Sequence, residues 1–422
     1  MKPTQRSIRE PDTPLPRHKC YIPFAPPERK APAFKIMHSH PVVPIVWLCL
    51  LLPLALALAA CGGGSGSSSG GGTHPPQPAE LLYAAGLGGA IETFDIDMSS
   101  GSLAGNASST GSNGLSIAVN AANTFLYAAD PSTNAVDGFS ISSAGVLSTM
   151  AGSPFPAPGA GLIMGVAVDP AGKFLYATTE TASGGTGTGL LAVFSIDNTT
   201  GALSPTTGSP FSAGITPAEV VVAPSGQFLY ISDSGSGILA FSLAAGAPTL
   251  ISGSPFPGGT QGVSMTPSGA YLYAISIDNE VWAYSIDSTT GSLAQLSNSP
   301  FVDPAGTGDF TGAIVVDPTG SFLYTYNTFG FPNTISGFAI DKSTGTLSVM
   351  PSSPLGTGQL TFFGASLAIE PSGKFLYASC ADSNCGILAF DIDTTTGALT
   401  PVTGSPFDAV NFIGGMATVR AQ

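Results

Sequence analysis

Positive charge is what this chain of 422 residues has least of. Eight of its 12 lysines and arginines lie before Met37, and after Cys61 only Lys173, Lys342, Lys374 and Arg420 remain. Against 23 acids they leave that part at a formal −19, which repels nucleic acid and anionic lipid. No histidine occurs in residues 80–422, so the commonest general base and zinc ligand is missing there. Only Trp282 survives once the first 60 residues are set aside, too little to stack a quinone cofactor. No stretch after Cys61 keeps a helical apolar period over a useful length, which excludes a helical core. The acidity itself has two readings, an ordinary solvated surface or a face that binds cations.

One long apolar run is present, Val42 to Ala60. It fits a transmembrane helix or a signal peptide. Its end, Leu58-Ala59-Ala60-Cys61, resembles the bacterial lipobox, in which small residues admit a signal peptidase and the cysteine is diacylated. Residues 62–72 are glycine and serine alone, a flexible tether that a spanning helix does not need. Residues 1–36 are rich in proline and arginine without periodicity and read as a disordered extension, with Met37 as an alternative start that peptide mapping of the precursor would decide. The expected organisation is an extension over 1–36, a lipoprotein signal peptide over 37–60, lipidated Cys61 and its tether over 61–79, and a folded body over 80–422. The body is then expected in the cell envelope, anchored to a bacterial membrane by its lipid and facing the periplasm or the cell surface.

That body repeats. Phe-Leu-Tyr or a close variant places tyrosines at 83, 127, 176, 230, 273, 324 and 377, at intervals of 43 to 54 residues. Such a period, with short strands and turn signals, means a propeller or a solenoid. Each repeat resolves into four strand-length pieces, as in Gly165–Val168, Phe174–Ala177, Leu191–Ile196 and a piece running from Leu203 to Phe211. Pro-Ser-Gly or a variant turns the first piece into the second, proline presetting one dihedral and glycine taking the left-handed one. Asn123 is expected to take the glycine's role in the second repeat. Asp-x-x-Ser/Thr-Gly at Asp97, Asp197, Asp287, Asp341 and Asp393 reads as a turn capped by its aspartate. Asp95-x-Asp97 and Asp391-x-Asp393 lack the spacing and ligand set of a calcium loop.

Gly-Ser-Pro-Phe or a relative occurs six times, and its prolines, unable to donate to a ladder, place the fourth piece on the outer edge. Its serines lack a nucleophile's context. The first piece is then innermost, large on one face and small on the other, as crowded wedges require. Seven Leu-Tyr strands have only six inner strands before them, and Gly415–Val419 supplies the seventh. The expected fold is all-β, a seven-bladed propeller of four-stranded antiparallel blades, its ring closed by the C-terminal strand joining the N-terminal blade.

Chemistry is expected where loops vary on one face of this frame. Glu219 stands out there. Its aligned positions are Ser116, Gly165, Gly262, Ala313, Ser366 and Gly415, all small, so a lone carboxylate faces the channel mouth. With Asp309 it is the candidate contact for a ligand or cation, the alternative being a solvated carboxylate. Cys380 and Cys385 flank a hairpin tip at a separation a disulfide can span.

The repeat Pro-x-Gly-x-Phe-Leu-Tyr-Ala with Phe-x-Ile-Asp-x-x-Thr-Gly-x-Leu resembles that of the seven-bladed lactonase family, which includes bacterial 6-phosphogluconolactonases, over about residues 80–422. The resemblance implies phosphorylated or carboxylated substrates and basic pocket residues, yet Arg420 is the only arginine in the repeats and no catalytic residue carries over. Two functions stand. One is a monomeric scaffold holding a glycan, peptide or protein, with no required cofactor. The other is a lactone hydrolase working through carboxylates, with Ca2+ or another divalent cation to polarise the carbonyl.

Overall fold

The computed structural model describes residues 80–86, 89–159, 161–181, 188–276, 278–305, 310–328, 333–359, 366–379, 386–409 and 413–420. Among these every regular element is a strand, and no helix is long and apolar enough to cross a membrane. The strands form seven antiparallel sheets. The inner strands of blades 2 to 7 are Ser116–Val119, Leu162–Val168, Pro217–Val222, Gly262–Met265, Phe310–Val316 and Leu367–Ile369. Blade 1 takes its inner strand from the far end of the chain: Ile413–Arg420 pairs with Glu80–Gly86, with Glu80 opposite Arg420 and Leu81 opposite Val419. Each inner strand packs against the next around a full circle. The seven-bladed ring and its closure are as the sequence predicts.

The turns follow from their residues. Gly172, Gly226, Gly269, Gly320 and Gly373 all have positive φ, and Asn123 takes the same conformation at φ 54°. Asp197 Oδ1 accepts the Thr199 and Thr200 N–H groups at 2.9 and 2.8 Å, and Asp287 and Asp393 repeat the arrangement on their own turns. These bonds hold the exposed carboxylates below their ordinary pKa, so turn capping accounts for them.

The two signature motifs prove to be halves of one joint. Tyr83, Tyr127, Tyr230, Tyr273, Tyr324 and Tyr377 are all fully buried. Each donates its hydroxyl to the glycine carbonyl in the next blade's outer turn, at Gly145, Gly201, Gly291, Gly345, Gly397 and Gly101 respectively, at 2.8 to 3.1 Å. A Cβ on Gly201 would lie 2.6 Å from the Phe125 ring below it, so the turn must end in glycine. The last of these bonds, Tyr377 to Gly101, crosses the seam where the chain closes on itself. Blade 4 replaces the aspartate turn with a tight Ala245-Gly246 hairpin, and Tyr176 makes no such bond among the described residues.

The outer edge differs from the sequence reading. The fourth strand stops after three residues, at Leu203–Pro205 in blade 3, and Phe211 then returns to pair with Leu191 of the same third strand. Between them Ser209 Oγ accepts the Val193 N–H at 2.9 Å. Ser153, Ser254, Ser299, Ser353 and Ser405 do the same in their blades. The serine thus satisfies a ladder donor that proline and the turn leave without a strand partner.

Candidate functional site

The channel is walled by the inner strands, which run from the face of the variable loops to the face of the Pro-Ser-Gly turns. Blade 4's inner strand carries a bulge between Pro217 and Val220 that interrupts its pairing with Phe228–Asp233. A bulge re-aims the side chain it carries and frees a backbone donor. The freed Glu219 N–H is taken by Ser232 Oγ at 3.1 Å. At the equivalent places Thr178 Oγ1 accepts the Gly165 N–H and Ser379 Oγ the Ser366 N–H, at 2.9 and 2.8 Å.

So aimed, the Glu219 side chain crosses to blade 5. Its Oε2 accepts the Val263 N–H at 3.0 Å, and Gly262 leaves room for it, since a Cβ there would lie 2.9 Å from that oxygen. Ser116 and Ser366 make the same inter-blade bond to Val166 and Met416, at 3.3 and 3.1 Å. In blade 4 a carboxylate does what a hydroxyl does elsewhere, and has a second oxygen left over. Oε1 makes no hydrogen bond to a described residue. Glu219 itself is exposed, on an inner strand that lines the channel. The protein mass around its carboxyl disfavours the charged form and raises its pKa from 4.5 to about 7, with the Val263 N–H pulling the other way.

The other acids on this face fall into two groups. Asp233 is fully buried and consumed by structure, accepting the Ile215 and Thr216 N–H groups and the Ser236 hydroxyl. Asp303 is likewise buried, bonded to Thr325, Ser336 and Asn327. Asp278 and Asp408 are exposed on loops. Among the described residues no three His, Cys, Asp or Glu side chains stand close enough to hold a metal ion. Asp309, the second candidate contact, and Cys61, Cys380 and Cys385 lie outside the described residues. The supporting hydroxyls of Thr178, Ser232 and Ser379 escape the sequence reading. Their signal was available, since each stands two residues after a repeat tyrosine.

A closed ring of seven four-stranded blades, with Glu219 the one acid on the described inner strands, defines the class. Residues 258–409 match the family model described as lactonase, 7-bladed beta-propeller. A protein of Bacteroides uniformis regarded as a 6-phosphogluconolactonase superposes with a TM-score of 0.66 at 21% identity, over 81% of this chain and 100% of its own. The periplasmic gluconolactonase of Pseudomonas aeruginosa superposes with a TM-score of 0.66 at 18% identity, over 82% of this chain and 99% of its own. A candidate 6-phosphogluconolactonase of Arthroderma benhamiae is 27% identical over 203 residues, 44% of this chain, and the match spans about half of that relative's length, 49%. The structural likenesses, at such identities, speak to the fold. The chain is a seven-bladed β-propeller that resembles the lactonase family over residues 258–409.

Proposed function

We propose that the chain hydrolyses lactones at its channel mouth, with Glu219 as general base. The observation that carries this reading is an exposed carboxyl on an inner strand whose pKa is raised to about 7 and whose Oε2 is fixed by the Val263 N–H while Oε1 has no described partner. The names of the relatives above point the same way. In the step envisaged, ionised Glu219 takes a proton from water as the water oxygen bonds to the lactone carbonyl carbon. The ring C–O bond then breaks, and the proton passes to the departing alkoxide, leaving a hydroxy acid. The test is a panel of simple lactones assayed with the full chain and with Glu219→Gln. Turnover by the first and loss by the second are expected, and inertness of the wild type toward the panel overturns the reading.

A second reading, a scaffold that holds a glycan, peptide or protein, is favoured by one observation: the Glu219 bond to Val263 duplicates the bonds of Ser116 and Ser366. Glu219→Ser separates the two, because serine at this position can restore the inter-blade bond without the base. Under the scaffold reading it leaves function intact, and under the hydrolase reading it abolishes turnover in a folded protein. We place the molecule on a bacterial membrane through lipid on Cys61, and Cys61→Ala should release it from the membrane fraction.

A further inference from the structure

The four cations of residues 80–422 all stand on one face of the ring, and it is not the face of the Glu219 mouth. Lys173 and Lys374 follow the glycines of first-to-second turns, and Lys342 sits in a third-to-fourth turn, all three exposed. In an up-and-down blade these turns share one end. Arg420 ends the closing strand at that same end, where its Nη2 lies 3.2 Å from Glu80 Oε1. The sequence of the variable loops on the opposite face holds no lysine, arginine or histidine at all. It does hold carboxylates, among them Glu180, Glu280 and the exposed Asp278 and Asp408.

Resting on the lactone-hydrolase reading, we infer that the substrate is an uncharged lactone, of the aldonolactone kind, and that phosphorylated or carboxylated lactones are turned away. Phosphate is held by guanidinium or ammonium groups or by helix N-termini. The mouth has none of the first two, and the described residues include no helix. An anionic lactone would also bring its charge toward ionised Glu219 in a channel where protein displaces water, and like charges repel there more than in bulk solvent. What the channel does offer is neutral donors. The Ser116 and Ser366 hydroxyls each accept one N–H and keep their own proton to give, at positions aligned with Glu219 around the ring. Sugar hydroxyls suit such donors.

The experiment compares glucono-δ-lactone with 6-phosphoglucono-δ-lactone, using the full chain at low and high salt. The neutral lactone should show a kcat/KM at least about tenfold higher at low salt. The gap should narrow as salt screens the repulsion, through a rise in the rate with the phosphorylated lactone alone. Equal or faster turnover of the phosphorylated lactone at low salt overturns the inference and leaves the hydrolase reading standing. Failure to hydrolyse either lactone removes that reading, and this inference with it.

Discussion

A base must be empty to work, and Glu219 empties only near neutrality. Its pKa of about 7 means that kcat/KM should climb through that pH and level off above it. Glu219→Gln should lower kcat by about a hundredfold or more, within the range for loss of a general base, and flatten the profile, as pH-dependent lactone assays would show. The same shift has a cost in stability. Between the unfolded value of 4.5 and about 7 the folded chain holds a proton that the unfolded chain has released. This contribution is full below that window and is lost as pH rises through it. Melting curves should therefore place Glu219→Gln above wild type once pH exceeds 7. Glu219 was legible in the sequence as a carboxylate among small aligned residues. Its bond to Val263 was not, because the bulge that aims it and the room left by Gly262 depend on two different blades.

At the level of the strand and its turn, the repeat tyrosine and the outer-turn glycine act together. Tyr324→Phe would leave the Gly397 carbonyl without its donor inside the blade 6–7 seam, at a cost of about 1 kcal/mol. Gly397→Ala should cost more, because φ is +74° and the new Cβ would meet Phe322 at 2.6 Å. Denaturant unfolding of both variants checks the order, and an unchanged midpoint for Gly397→Ala would refute the joint. The sequence displayed both motifs plainly, as a core strand and a capped turn. The bond between Tyr324 and Gly397 joins residues 73 positions apart, a distance over which local patterning says nothing. For the same reason the outer edge was read as one strand: proline at 210 marked an edge, but only the pairing of Phe211 with Leu191 reveals that the chain turns back.

For the whole ring the decisive place is the seam. Deleting residues 414–422 should remove most of the strand paired with Glu80–Gly86 and lower the melting temperature of the entire domain, and a truncated chain that melts unchanged would refute the closure. The seam also carries a buried carboxyl. Burial, then the neighbouring Glu370, raises Glu80 to about 7, against the pull of Arg420. Its folded value lies above the unfolded 4.5, so the stability it contributes is full below that value and lost as pH rises through about 7. Glu80→Gln should reduce the loss of melting temperature between about pH 5 and about pH 8. The count of seven and the donor strand were legible because strand number and order follow from the repeats; the acid pair was not, since 290 positions separate Glu80 from Glu370. Placing Glu80 beside Arg420 has one more consequence. A short linker from residue 420 back to residue 80 would make a covalent hoop, and new termini opened between any two blades would leave every sheet with its four strands. The blade at which the circle is opened is then a free choice for the folded ring.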